Sequence, residues 1–212
     1  MTARYLQTLF TDSVKAAQEA NGSRAAYARV DAAPAAPDAL TGRETAFISA
    51  RDSFYIASVA ENGWPYLQHR GGPRGFVKIL DERRLGFADY RGNRQYMSVG
   101  NVTTDPRVSL FFMDYPSRAR LKLLGRMRSI SGAAAQELAE PLVDAAYGAK
   151  VERFMLIEVE AFDWNCPQHI TPRYTMDEIE PMLARLKQRI AELEAQPLND
   201  AAPHIQERKS QT

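Results

Sequence analysis

Residues 87–108 read FADYRGNRQYMSVGNVTTDPRV, and the rest of the chain is interpreted outward from this stretch. A β-rich segment ends at Tyr90, and Gly92 permits a sharp turn directly after it. Asn93 is a residue type that caps helices, so we expect a short helix over 93–102. The stretch therefore predicts a strand, a tight turn and a helix N-terminus in immediate succession.

The first turn of that expected helix contains Arg94 and Gln95. Free amides, the positive end of the helix dipole and a guanidinium would then meet at one point. Such a point suits a phosphate group, which an arginine can bind through two parallel hydrogen bonds. The alternative is an ordinary capped surface helix with a solvated arginine.

Composition excludes several classes of protein. The 212 residues include 27 Lys and Arg against 26 Asp and Glu, and the net charge of +1 removes the electrostatic case for a nucleic-acid binder. No apolar run approaches the roughly 20 residues that span a bilayer, and the N-terminus lacks the apolar core of a signal peptide. A single cysteine and three histidines predict neither a disulfide nor a metal site. We expect a cytoplasmic protein that binds no nucleic acid and no membrane.

Segments rich in β-forming residues dominate the middle of the chain. The Asn-Gly pair at 62–63 and the polar residues 81–84 each predict a hairpin turn. The segments lie at 53–60, 64–70, 75–80, 85–90, 107–114, 119–131 and 151–164. We interpret them as a mostly β fold with flanking helices, a six-stranded antiparallel barrel of Greek-key type.

Helical patterns surround these strands and set the expected domain limits. Capping-box sequences at 41–44 and 175–178 predict helices over 42–51 and up to about residue 195, and residues 133–147 are amphipathic. A helical stripe over 3–21 is followed by a proline-containing linker. We expect an N-terminal extension at 1–40, a barrel domain at 41–173, and a C-terminal helix with a polar tail at 174–212.

Two further segments contain candidate functional residues. Residues 68–78, QHRGGPRGFVK, place cations and glycines around a strand start, where Lys78 and Phe76 would share a face. Lys78 then either reaches the surface or faces a ligand. Residues 162–173, FDWNCPQHITPR, contain Cys166 and His169, but sequence proximity is poor evidence for a nucleophilic pair. A wall of rings over a flat cofactor fits these residue types better, with core packing of Trp164 as the alternative.

Residues 87–112, FADYRGNRQYMSVGNVTTDPRVSLFF, resemble the FMN-proximal segment of the pyridoxamine 5'-phosphate oxidase family. Residues 75–87, GFVKILDERRLGF, resemble the strand–turn–strand of that family with its lysine near the flavin. The resemblance covers about 46–128, with a weaker similarity at 160–173. It implies an FMN-binding split barrel that forms a homodimer with FMN at the subunit interface.

The resemblance also implies roles for individual residues. Arg94 falls on the FMN-phosphate arginine, and Gln95 on a neighbour that is often lysine. Lys78 and His169 are the expected catalytic residues, the first near the flavin and the second positioning substrate or donating a proton. The residues expected to bind the cofactor are Arg70, Arg74, Lys78, Asp89, Tyr90, Asn93, Arg94, Gln95, Arg120, Trp164 and Arg173. Either Arg70 or Arg74 serves at the strand start, and Arg120 falls where the oxidases have a glutamine that reaches FMN from the other subunit.

The expected function is that of an FMN-dependent oxidoreductase acting on a small organic substrate. Residues 133–147, AAAQELAEPLVDAAY, contain no Arg, Lys or Ser, whereas the oxidases of the family hold the substrate phosphate there. An unpaired buried dianion is costly, so we do not expect a true pyridoxamine 5'-phosphate oxidase. The alternatives are a non-catalytic flavin- or haem-binding module, or a deazaflavin-dependent enzyme on the same fold.

Overall fold

The computed structural model describes residues 3–33, 36–164 and 167–195, and the chain divides into two compact units, Met1–Pro172 and Arg173–Thr212. The helices are α1 (Ala3–Leu9), α2 (Asp12–Ala20), α3 (Arg24–Asp31), α4 (Gly42–Ser49), α5 (Met97–Thr104), α6 (Gln136–Leu142) and α7 (Met176–Glu194). The strands are β1 (Ser53–Val59), β2 (Pro65–Gly71), β3 (Lys78–Asp81), β4 (Arg84–Tyr90), β5 (Arg107–Asp114), β6 (Ala119–Ile130) and β7 (Val151–Trp164). No helix in these described ranges is long and apolar enough to cross a membrane.

The strands form one antiparallel sheet in the order β2-β1-β5-β6-β7-β4-β3. The predicted split-barrel class with flanking helices is confirmed. The predicted strand count of six is wrong, because all seven β-rich segments pair and the four-residue β3 is a separate strand at the sheet edge. The strand expected to begin at residue 75 begins only at Lys78, so Phe76 lies before β3 and the strand alternation expected between the two residues does not apply.

Aromatic side chains fill the centre of the barrel. Phe54 on β1 contacts the rings of Phe76, Phe87 and Phe112, with centroid distances of 5.8, 5.3 and 5.1 Å. All four are at most 2% exposed. Strand alternation sends every second residue of β1, β4 and β5 into this cluster, so burial of these rings fixes the register of the sheet.

Helix α4 closes one side of this core and confirms the predicted capping box. The Thr41 hydroxyl accepts a hydrogen bond from a first-turn backbone amide, and the Glu44 carboxylate accepts one from the Thr41 amide. Glu44 is only 3% exposed and also accepts a hydrogen bond from Trp164 Nε1 at 2.6 Å. The helix cap and the end of β7 are therefore joined through one buried carboxylate.

The N-terminal helical stripe forms two helices rather than one, because α1 ends before Phe10 and α2 begins at Asp12. Tyr5 of α1 is buried beneath Lys122, whose Nζ lies 4.7 Å from the ring centroid and 2.9 Å from Asp163 Oδ2. Burial raises the pKa of Tyr5, and the Asp163 carboxylate adds to the effect. These contacts attach α1 to the outer side of β6 and β7.

Two other predicted helices are shorter in the structure. The helix expected over 93–102 begins only at Met97, for a reason that the site geometry explains below. The helix expected over 133–147 is a 3-10 turn at Gly132–Ala135 followed by α6, which ends at Leu142 directly after Pro141. A proline in a helix interior removes a backbone donor and disfavours the helix, in keeping with the end of α6 at Leu142.

Candidate functional site

A pocket of about 210 Å³ lies where β2 and β4 end beside the start of α5. Four separate pieces of the chain build it, namely one face of β2, the end of β4 with the following loop, the first turn of α5, and Glu152 at the start of β7. Its lining residues are Tyr66, Gln68, Arg70, Asp89, Tyr90, Gly92, Asn93, Arg94, Gln95, Tyr96, Met97, Ser98, Val99 and Glu152. Six of the residues predicted to bind the cofactor meet here: Arg70, Asp89, Tyr90, Asn93, Arg94 and Gln95.

Strand alternation explains the β2 wall of the pocket. Tyr66, Gln68 and Arg70 are half-buried, whereas the residues between them are exposed. Successive side chains of a strand point to opposite faces, so these three share the face toward the pocket. Ser98 on α5 donates a hydrogen bond to Gln68 Oε1 at 2.9 Å and ties the helix start to this strand.

The loop before α5 has an unusual backbone that delays the helix. Arg94 and Tyr96 have φ angles of +62° and +55°, in the left-handed region that non-glycine residues seldom adopt. The Asn93 side-chain oxygen accepts a hydrogen bond from the Gln95 amide at 3.2 Å, so Asn93 stabilises a turn instead of capping a helix. The predicted helix start at Asn93 is wrong because α5 cannot continue backward through these left-handed residues.

The N-terminus of α5 presents free hydrogen-bond donors to the pocket. Its N-cap residue, Tyr96, makes no capping hydrogen bond with its side chain. The amides of Met97, Ser98 and Val99 have no acceptor within the helix, because the first turn of any helix leaves its donors unpaired. All three residues line the pocket. The predicted convergence of amides, helix dipole and arginine is thus present, with its centre three to four residues later in the chain.

Four arginines and two carboxylates set the charge of this region. Asp89, 6% exposed, forms an ion pair with Arg70, and its other oxygen lies 3.3 Å from Arg153 Nε. Glu152 is 3.0 Å from Arg153 and 3.6 Å from Arg91. With Arg94, the local sum of charges is positive, so the pocket attracts anions.

Arg153 supports the pocket wall from behind without lining it. Its guanidinium carbon lies 4.7 Å from the centre of the Tyr96 ring, a cation–π contact. Tyr96 in turn accepts a hydrogen bond from Arg94 Nε at 3.3 Å. The same arginine therefore braces both Asp89 and the loop that carries Arg94.

Tyr90 forms the apolar side of the pocket. Its ring packs edge-on against Tyr147 at 5.0 Å between centroids. Burial raises the pKa of the Tyr90 hydroxyl, and Asp144 and Tyr147 add to the effect. The hydroxyl is therefore neutral at physiological pH and available as a hydrogen-bond donor.

Two predicted cations lie outside the pocket lining. Lys78 is half-buried on β3 opposite Gly86, and its side chain makes no hydrogen bond or ion pair within the described residues. Gly86 is three residues before Asp89 on β4, which corresponds to about 10 Å along a strand. Arg74 is exposed in the turn after β2. Of the two arginines left open at this strand, Arg70 is the one that lines the pocket.

The remaining predicted site residues are not brought to this pocket within one chain. Arg120 pairs with Met113 near the start of β6. Trp164 pairs with Leu121 at the C-terminal end of β7, whereas Tyr90 of the pocket pairs with Val151 at the N-terminal end of the same strand. The Trp164 ring is enclosed by α4, with Phe47 at 4.7 Å and the Arg43 guanidinium at 4.2 Å from its centre. The core-packing alternative therefore describes the indole.

His169 is exposed, with a φ of +62°, and does not line the pocket. Arg173 is exposed and begins the second compact unit. Cys166 lies outside the described residues, so the proposed Cys–His pairing is not addressed by the structure.

Several pocket residues were absent from the sequence prediction. They include Tyr66, Gln68, Ser98 and Glu152 in the lining, and Arg153 lies behind it. For the β2 residues a signal existed, because Tyr66, Gln68 and Arg70 follow the period of two expected for one face of a strand. Glu152 and Arg153 gave no local signal, since they arrive through the pairing of β4 with β7.

Residues 40–166, more than half of the chain, match the family model of pyridoxamine 5'-phosphate oxidase. The chain therefore belongs to the pyridoxamine 5'-phosphate oxidase family. No curated protein sequence matches it significantly.

Solved structures with similar folds share little sequence with the chain. HupZ of Group A Streptococcus is 14% identical over 64% of this chain and 100% of its own, with a TM-score of 0.45. An FMN-binding protein from Syntrophomonas wolfei is 8% identical over 57% of this chain and 83% of its own, with a TM-score of 0.41. An F420 reductase is 16% identical over 56% of this chain and 94% of its own, with a TM-score of 0.40.

Proposed function

We propose that the chain is an FMN-binding oxidoreductase that holds the flavin between two copies of itself and acts on a small organic substrate. The observation that carries the proposal is the single pocket in which Arg70, Arg94 and the free amides of α5 converge. Membership of the pyridoxamine 5'-phosphate oxidase family supports the same assignment.

The donor set fits a terminal phosphate. The α5 amides supply several hydrogen bonds and the positive end of a helix dipole, and Arg94 adds a charge-assisted contact. The Arg70 Nε atom is buried and finds no acceptor within the described part of the chain, so it can donate a hydrogen bond to a ligand oxygen without losing another bond. The ion pair with Asp89 keeps the Arg70 guanidinium oriented meanwhile.

The size of the pocket supports a shared flavin. Pockets that enclose a drug-sized ligand have volumes of about 300–1,000 Å³, whereas this pocket measures about 210 Å³. It is large enough for the phosphate and part of the ribityl chain, which leaves the ring to be covered by another surface. A second copy is the natural source, because a two-fold axis would produce two equivalent sites.

The residue positions agree with such a dimer. Trp164 and Arg120 lie far along β7 and β6 from the pocket of their own chain, so any contact with flavin must come from the partner copy. Light scattering on the purified protein tests this part of the proposal. A flavin-loaded monomer at micromolar concentration would refute it.

The flavin, when bound, supplies the acceptance and release of a hydride or of single electrons. The residues of the chain bind and orient it through the pocket on β2, β4 and α5. Lys78 lies on β3 opposite Gly86, which is about 10 Å along β4 from Asp89, and we assign it the stabilisation of negative charge that develops on reduction. We assign His169, which is exposed, only the role of a proton donor.

We further propose that pyridoxamine 5'-phosphate is not the substrate. The sequence of α6, QELAEPL, offers neither cations nor hydroxyls to a substrate phosphate. Its polar residues Gln136, Glu137 and Glu140 are exposed. Leu142, 1% exposed, is the residue that α6 turns toward β4. The helix thus packs by an apolar anchor and lacks a phosphate anchor.

The visible spectrum of the purified protein tests the cofactor directly. We expect flavin bands that bleach with a chemical reductant and return in air. A Soret band would identify a haem-binding module, and a deazaflavin spectrum would identify the other alternative. Either result, or a colourless protein that fails to take up added FMN, would overturn the proposal.

A further inference from the structure

Helix α7 carries an uninterrupted heptad pattern of apolar residues. Counting from Met176, apolar residues occupy every a and d position over three heptads: a is Met176, Leu183 and Ile190, and d is Ile179, Leu186 and Leu193. This spacing of 3.5 residues is the signature of a helix that packs along one seam against another helix. A capping box at Thr175 and Glu178 fixes the start of the helix.

Most of the seam residues are exposed among the residues that the structure describes. Of its six residues, Met176, Leu183, Leu186, Ile190 and Leu193 are 43–71% exposed. Solvated apolar side chains in a continuous stripe mark an interaction surface, whereas single exposed ones do not. The opposite face of α7 carries mainly charged and polar residues, together with Pro181 and two alanines.

We propose that α7 pairs with α7 of a second copy of this chain as a short two-stranded coiled coil. The partner is identified by the heptads themselves, because a seam of this kind is complementary to an identical seam. In the last heptad, β-branched Ile190 at a is followed by Leu193 at d, the combination that favours two strands in parallel coiled coils.

The residues that flank the seam are complementary in charge between two copies. In a parallel pair, Arg189 at a g position faces Glu194 at the following e position of the other helix. In an antiparallel pair, Glu180 faces Lys187. Opposite charges therefore meet in either orientation, and neither orientation opposes like charges at these positions.

An isolated coiled coil of this length is marginal. Helix α7 has 19 residues, little more than the length of about 12–15 residues below which a single helix is weak in water. The pairing therefore rests on the homodimer proposed above, which would hold the two copies of α7 at high effective concentration. The coiled coil would in turn add to the stability of that dimer.

Cysteine cross-linking of the full chain tests this inference. In a Cys166→Ser background, Leu186→Cys at a d position places two thiols across a parallel seam. The Leu183→Cys, Leu186→Cys double variant brings an a thiol opposite a d thiol in an antiparallel pair. Mild oxidation should convert most of one or both proteins to covalent dimer. Gln188→Cys, at the outward f position, is the matched control and should stay uncross-linked.

The outcome separates this inference from the proposed function. If light scattering shows a dimer and neither seam variant cross-links above the Gln188→Cys level, α7 does not pair with α7 of the second copy. In that case only this inference fails. A monomer in light scattering with no cross-link overturns both. Cross-linking through position 186 alone would set the orientation as parallel.

Discussion

Arg70 on β2 and Asp89 on β4 form an ion pair between two strands that are not neighbours in the sheet. Arg153 on β7 approaches the second oxygen of the same carboxylate at 3.3 Å. One buried aspartate therefore holds two arginines, Arg70 in the pocket lining and Arg153 behind it. It orients Arg70 for an anionic ligand and, through Arg153, braces Tyr96 ahead of α5.

Asp89→Asn should lower the free energy of unfolding by about 2–3 kcal/mol, because it leaves the mostly buried Arg70 guanidinium without its carboxylate and leaves Arg153 with Glu152 alone. The loss should shrink in saturating FMN, whose phosphate supplies negative charge to the same arginines and binds only the folded state. Urea unfolding with and without FMN measures both effects.

Asp105→Asn is the matched control for this experiment. Asp105 pairs with the exposed Arg107, and surface pairs contribute little to stability, so Asp105→Asn should cost clearly less than Asp89→Asn. Equal effects of the two substitutions would contradict the role assigned to Asp89.

Glu44 should make the stability of the protein sensitive to acid. Burial alone would raise the pKa of its carboxyl, but hydrogen bonds from Thr41 and Trp164 outweigh burial and hold the pKa below the ordinary value of 4.5. A depressed folded-state pKa contributes stability that is present above pH 4.5 and is lost as the pH falls through the lower folded value. Glu44→Gln should therefore cost stability at neutral pH and cost less in acid.

Urea unfolding at neutral pH and at about pH 3 checks the Glu44 prediction. Glu61→Gln, which changes an exposed turn carboxylate, provides the reference for a general charge effect. A Glu44→Gln penalty that stays constant between the two pH values would show that this carboxyl does not titrate with a lowered pKa.

Lys78→Met should lower the flavin reduction potential while leaving FMN affinity nearly unchanged. The lysine lies outside the phosphate pocket, so its removal spares binding, but it withdraws a positive charge from the reduced flavin anion. A shift of about 30 mV corresponds to 1.4 kcal/mol for a two-electron couple. Spectroscopic redox titration measures it, with Lys15→Met on α2 as a control for charge alone. An unaltered potential would remove Lys78 from the flavin environment.

The FMN-loaded protein should form little or no pyridoxal phosphate from pyridoxamine 5'-phosphate. The reason is the absence of Arg, Lys and Ser from residues 133–147, where Glu137 and Glu140 are exposed. Product formation followed by absorbance decides the question. Robust turnover would mean that an arginine elsewhere replaces the missing anchor.

Much of the fold could be predicted because its signals are local. The capping boxes at Thr41 and Thr175 depend on side chains three residues apart, and both occur as expected. The helix at Asn93 was placed too early because the left-handed backbone of Arg94 and Tyr96 has no signature in residue types that normally avoid it.

The site divides in the same way. Asp89, Tyr90 and Arg94 reach one pocket because they are close in sequence. The choice between Arg70 and Arg74 needed the structure, since the glycines between them hide where β2 ends. Arg153 was missed altogether, because it meets Asp89 only through the long-range pairing of β4 with β7.

Fluorescence titration of the apoprotein with FMN, comparing Arg94→Ala with wild type, tests the central claim most directly. The claim is that Arg94 and the α5 amides bind the FMN phosphate, and loss of one charge-assisted contact costs about 1.5–3 kcal/mol. We predict that Arg94→Ala weakens FMN binding about ten- to a hundredfold, while Arg74→Ala, an equally charged change outside the pocket, leaves it unaltered. Circular dichroism of both variants should match wild type. Equal FMN affinity for wild type and a folded Arg94→Ala variant would contradict the account.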